Sequence, residues 1–135
     1  MIMKTILITL FLGIGLNAYA QNDTRISTLD FVQIIDGQRA ETIYYYTNNW
    51  KALRDEAMKK GYIHSFELLE VPRNENEPFD IILITTYSNP DQYAKREDNF
   101  GELIEARGGR RLMNEKQPSE FRKIIFNRED VRHIF

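Results

Sequence analysis

Three segments of this chain read as β-strands that are apolar on both faces. In residues 29–35, Phe31 and Ile35 point one way while Val32 and Ile34 point the other. In residues 80–87 (DIILITTY), Ile81 and Leu83 oppose Ile82 and Ile84, and in residues 121–127 (FRKIIFN), Phe121 and Ile125 oppose Ile124 and Phe126. Successive side chains of a strand project to opposite sides of its sheet, and an antiparallel sheet with one wet face alternates apolar with polar residues. A sheet built from these strands therefore needs cover on two sides.

The segments between them supply one of those covers. Ile43, Tyr46, Trp50, Leu53 and Ala57 recur at spacings of three and four, which predicts a helix over about 39–60 with Trp50 in the core. Lys51, Arg54, Asp55, Lys59 and Lys60 occupy most of the remaining positions, and Gly61 stands where a left-handed cap belongs. Residues 62–71 (YIHSFELLEV) predict a second strand, stopped by Pro72 and joined to residues 80–87 as an antiparallel hairpin. Asn89-Pro90-Asp91 is a helix start, with a cap, a preset first residue and an acid facing the dipole. That helix runs to about Arg107, and Gly108-Gly109 end it. Residues 110–119 read as an irregular connection, residues 21–27 as a loose leader and residues 128–135 as a tail. The order β-α-β-β-α-β predicts an α+β, ferredoxin-like domain over residues 21–135, with both helices on one face of a four-stranded antiparallel sheet.

The N-terminus predicts where the protein works. Met1 to Lys4 is a short basic start, residues 5–16 are an uncharged apolar run, and Ala18-Tyr19-Ala20 is a small-x-small cleavage pattern. Residues 1–20 thus read as a secretory signal peptide, and the protein as exported to a periplasmic or extracellular location. The run is short for a membrane span, and no membrane anchor is expected after cleavage. There is no cysteine, which excludes thiol catalysis and thiolate metal sites. The net charge is −2 with the signs interspersed, which argues against a nucleic-acid partner.

A chain with this element order and a doubly apolar sheet resembles the dimeric α/β-barrel superfamily. The resemblance rests on element order and on two long helices, and it implies a homodimer whose two sheets close into a shared barrel. It also implies a pocket between the sheet and the helices of each unit. Small monooxygenases, haem-degrading enzymes and stress-responsive proteins share that architecture, so the fold does not select a function. The haem-degrading members use a histidine on the second helix, and residues 90–107 contain none.

Few residues point to chemistry. The two histidines, His64 and His133, have no metal-ligand spacing, so no metal and no cofactor are expected. No serine sits in a Gly-x-Ser-x-Gly elbow. His64 shares a strand face with Phe66 and Leu68 and, carrying an imidazole, is the candidate for proton transfer. Tyr46 and Trp50 bring aromatic rings to the same layer, so His64, Tyr46, Trp50 and Phe66 are the candidate ligand-binding residues. Tyr44 and Tyr45 lie off the stripe and are candidates for a pocket mouth or a partner surface. Arg107, Arg110 and Arg111 read as a solvated, dipole-complementing helix end, with an anion clamp as the alternative. Arg39 is read as exposed. The expected function is a non-enzymatic module that binds a small apolar ligand or acts through its dimer. The alternative is a cofactor-independent monooxygenase or isomerase with its pocket between helices and sheet, and a haem binder is a third, weaker reading.

Overall fold

The computed structural model describes residues 22–135, so the signal peptide expected over residues 1–20 lies outside the described residues. The sheet strands are β1 (Ile26–Ile34), β2 (Ser65–Glu70), β3 (Ile81–Tyr87) and β4 (Arg122–Arg132). They form one antiparallel sheet in the order β2-β3-β1-β4. Between β1 and β2 runs a continuous helical stretch: α1 (Arg39–Tyr45), a π-helical segment (Tyr46–Lys51) and α2 (Ala52–Lys59). Between β3 and β4 lie α3 (Pro90–Ala94), α4 (Arg96–Arg107) and the short α5 (Pro118–Phe121). That strand order and these helical crossovers make the fold ferredoxin-like, α+β.

Local chemistry explains the boundaries. The Asn89 side chain accepts from the Gln92 backbone N–H at 2.8 Å, capping α3 behind Pro90. Gly108 ends α4 at φ 80°, a left-handed conformation that favours glycine. The ladder also sorts the strand faces. Asp30 pairs with Leu83 and Val32 with Ile81 on the helix side, while Leu29 pairs with Ile84 and Phe31 with Ile82 on the other. Val32, Ile34, Tyr46, Ile81 and Leu83 form one core cluster under the helices, and Ala57, Ile63, Tyr87 and Leu103 form a second.

Several boundaries differ from expectation. The leader is shorter than residues 21–27, because Ile26 and Ser27 already pair within β1 and are buried. Residues 128–132 are not a tail but the end of β4, where Arg128 pairs with Leu29 and Arg132 with Ile26. Ser27 Oγ lies 2.8 Å from His133 Nε2 and 2.7 Å from Thr86 Oγ1, which fastens that end to the central strands. Phe121 belongs to α5 rather than to the last strand. A register shift between Phe31 and Val32 also puts Phe126 and Ile124 on opposite faces of the sheet, although their spacing alone puts them together.

The β2–β3 connection is held chiefly by the ion pair of Arg73 with Asp80, and Asp36 lies 3.4 Å from the same guanidinium. Arg73 donates to both Asp80 oxygens at 2.9 and 2.7 Å and to the Ile34 carbonyl, while Asp80 accepts from the Ile34 N–H at 2.7 Å. These bonds hold the Asp80 carboxyl below its ordinary value of 3.8, the Arg73 guanidinium contributing most. Its stabilisation is therefore complete above the unfolded-state value and disappears as pH falls through the lower folded-state value. Asp80→Asn is expected to cost about 1.5–3 kcal/mol at neutral pH. In urea titrations the gap between variant and wild type should begin to close below about pH 4 and go on shrinking as pH falls through the lower folded-state value. A gap independent of pH would show that the carboxylate charge plays no part.

Candidate functional site

The helical stretch is where the sequence reading and the structure diverge most. A plain α-helix puts Trp50 at the centre of the buried stripe. Instead the deepest positions are Thr42, Tyr46, Asn49 and Ala57, and Trp50 is only half-buried. The π-helical segment Tyr46–Lys51 is the cause, since a wider turn rotates the residues it contains relative to an α-helix. Amide side chains fill the loosened turn: Asn48 donates to the Tyr44 carbonyl and Asn49 to the Tyr45 carbonyl, each at 2.9 Å. Asn49 also clamps the connection after α4. Its Nδ2 donates to the Arg111 carbonyl at 2.7 Å, and its Oδ1 accepts from the Arg111 N–H at 2.7 Å.

This distortion walls a cavity of about 460 Å³ between the helices and the sheet. Tyr45, Tyr46, Trp50 and Leu53 line it from the helical stretch. Leu83 and Ile124 form part of its floor on the sheet, and Ile104 closes a side from α4. Charged groups enter it as well: Asp30 from β1, Arg54 from α2, Arg107 and Arg110 from the end of α4 and beyond, and Arg122 from β4. A smaller cavity of about 250 Å³ shares Asp30, Leu53, Arg54 and Ile104, so these residues stand between the two spaces.

Each charged group is held differently. The Arg54 guanidinium lies between the Trp50 and Phe100 rings, 4.3 and 4.5 Å from their centroids, and its Nε donates to Thr85 Oγ1 at 3.2 Å. Burial lowers it to about 10, still cationic at neutral pH. Burial likewise raises the Asp30 carboxyl above its ordinary value, with Arg54 opposing the shift. The Tyr46 hydroxyl is pushed up to about 12 by burial. Arg122 is near enough to oppose that change, yet the two form no hydrogen bond of good geometry. Tyr46 Oη, Arg122 Nε and Arg107 Nε are all buried without a protein partner. The other end of the Arg107 guanidinium donates to the Asn48 carbonyl.

The structure brings two of the four sequence candidates to this cavity. Tyr46 and Trp50 line it. Phe66 stands behind Trp50, their ring centroids 5.7 Å apart and nearly perpendicular. His64 does not reach the cavity: it precedes β2, is exposed, and has Ser88 Oγ 3.4 Å from its Nδ1. Of the off-stripe tyrosines, Tyr45 lines the cavity and packs on Phe121. Arg39 is exposed and pairs with Glu70 at 2.7 Å. Arg54, which its spacing places off the apolar stripe, turns inward, and so does Arg107. No sequence pattern announces Arg54, whose place follows from the π-helical turn ahead of it, whereas Arg107 belongs to the basic cluster with Arg110 and Arg111 for which an anion clamp is the alternative reading. Among the described residues, no cluster of three or more His, Asp or Glu is placed to hold a metal ion, and no helix is long and apolar enough to cross a membrane.

No family model matches the chain, and no curated protein matches it. Two solved structures follow a similar backbone course. HapK from Hahella chejuensis is 10% identical, over 76% of this chain and 87% of its own, with a TM-score of 0.47. A dimeric protein of unknown function and ferredoxin-like fold from Bacteroides fragilis is 16% identical, over 78% of this chain and 95% of its own, with a TM-score of 0.40.

Proposed function

We propose that this protein is an exported ligand-binding module that works as a homodimer and has no bond-breaking chemistry of its own. The cavity beneath the π-helical segment carries this reading. Its volume of about 460 Å³ falls in the range of small-ligand sites, which are mostly apolar with a few placed polar groups. Trp50, Leu53, Leu83 and Ile124 supply apolar and aromatic wall. His64, the residue best suited to proton transfer, stands outside that lining, which favours binding over turnover.

The uncovered side of the sheet supports the dimer. Phe31, Phe79 and Phe126 form an aromatic cluster there, Phe31 stacking on Phe126 at 4.4 Å. Leu69 and Phe126 of that face are 41% and 37% exposed. A second copy of the same face is the cover this surface fits, because its charges are complementary under a two-fold axis. Glu67 lies on the β2 edge and Lys123 and Arg128 on the β4 edge, at opposite sides of the strand order. A two-fold running along the strands sets each acidic edge over the partner's basic edge, with the phenylalanines buried between.

Three measurements test the reading. Trp50 is the single tryptophan, so energy transfer from it to the neutral aromatic probe N-phenyl-1-naphthylamine reports occupancy directly. Saturable binding of one probe per subunit is expected, and it should be lost when Ile104→Phe and Ile124→Phe together fill the cavity. Absence of saturable binding overturns the cavity reading. Sedimentation at micromolar concentration should give twice the subunit mass, reduced to one by Phe31→Lys, and a monomeric wild type overturns the dimer. Intact mass of protein from its native source should begin at Gln21, and retention of residues 1–20 overturns cleavage.

A further inference from the structure

We infer that the cavity takes a flat aromatic compound bearing a carboxylate, and that Arg122 and Tyr46 receive the carboxylate. The inference rests on the cavity reading above and names the chemical class that the cavity selects.

Three observations converge on it. The first is charge: Arg54, Arg107, Arg110 and Arg122 face the space against the single carboxyl of Asp30. Burial also favours the neutral form of Asp30, which deepens the cationic excess. The second is unmet hydrogen bonding. Tyr46 is only 3% exposed, lines the cavity, and its hydroxyl has no partner. The Nε of Arg122, which lines the same space from β4, has none either. A buried donor without a partner is costly and is the exception in a folded protein. A carboxylate satisfies both, since its two oxygens accept in the plane of a guanidinium fork and retain lone pairs for a phenolic O–H. The third is the shape and chemistry of the walls. Tyr45, Tyr46 and Trp50 offer ring faces and edges, and Leu53, Leu83 and Ile124 offer aliphatic surface, which suits a planar ring system better than a sugar or a peptide.

The other features of the molecule point elsewhere. Arg54 is engaged by Trp50, Phe100 and Thr85, so it raises the local potential without being free to bind. Ser27 and His133 stand at nucleophile-to-base distance, but Ser27 is buried, neither lines either of the two cavities described above, and Thr86 shares the contact.

Calorimetric titration with 2-naphthoate and its neutral isostere 2-naphthamide tests the inference. In the wild type, 2-naphthoate is expected to bind at least tenfold more tightly than 2-naphthamide. Arg122→Met keeps the aliphatic stem and removes the fork, and it should abolish that preference, chiefly through loss of 2-naphthoate affinity. Tyr46→Phe, which removes only the unpartnered hydroxyl, should reduce the preference and leave the fold intact, so the test survives a poorly folded Arg122 variant. Equal affinities in the wild type, or a preference that both substitutions leave intact, overturn the carboxylate assignment while the cavity reading stands. Failure of both compounds and of the neutral probe overturns the cavity reading itself.

Discussion

Replacing Phe121 with alanine is expected to remove about 3–5 kcal/mol of stability, the usual cost of deleting a fully buried large aromatic ring. Phe121 is 0% exposed. It sits in the short α5, immediately before β4, with its ring 5.3 Å from Tyr45. Its backbone is as engaged as its ring: the carbonyl accepts from the Ile35 N–H at 2.9 Å and from Thr42 Oγ1 at 3.0 Å. The ring therefore anchors the point where β1, α1 and β4 meet. Urea titration followed by far-ultraviolet circular dichroism measures the loss. A change below about 1 kcal/mol would mean that the site collapses around the deletion, contrary to the fixed backbone bonds on either side. Phe121→Leu keeps most of the volume and should recover more than half of the loss.

Asn49→Ala is expected to be nearly as damaging, at about 2–4 kcal/mol, for a reason other than volume. One side chain serves three backbone groups: the Tyr45 carbonyl and both the N–H and the carbonyl of Arg111. Removing it leaves these groups without their partner, at about 1–3 kcal/mol for each that water does not reach. The substitution also frees the segment after α4 that bears Gly109 and Arg110, two of the cavity-lining residues. Both a lower urea midpoint and weaker probe binding are therefore expected. Asn48→Ala is the control, because its side chain serves only the Tyr44 carbonyl, and it should cost less than half as much. Equal effects of the two substitutions would show that the clamp on Arg111 is not the source.

The fold was legible because its information is local and redundant. The Asn89-Pro90 start, the Gly61 and Gly108 stops and the strongly apolar β3 each mark a boundary by their own chemistry, and together they give the element order. The strand faces were harder. A single register shift between Phe31 and Val32 reverses the parity of β4, and nothing in the spacing of Ile124 and Phe126 reveals it. The cavity was legible only in part. Tyr46 and Trp50 are aromatic residues on an apolar stripe, so periodicity finds them. Arg54 and Arg122 enter the cavity because a π-helical turn rotates one and a bulged strand aims the other, and periodicity assumes neither. Alternation puts His64 on a strand face with Phe66 and Leu68, but β2 begins at Ser65, and a side chain just ahead of the strand follows the loop.

The pairing of β4 with β1 has a consequence for how the chain comes to be folded. Ser27 and His133 meet although 106 residues separate them, and β1 is an inner strand, flanked by β3 on one side and β4 on the other. During synthesis, β1 therefore emerges long before its second neighbour exists. The hairpin of β2 and β3 can form early, but the sheet closes only when residues near position 130 have left the ribosome. Such long-range closure slows folding relative to a helical bundle of equal size. It keeps the sheet incomplete until β4 has been made, and an open chain of that kind is the state in which a polypeptide is threaded through a narrow channel.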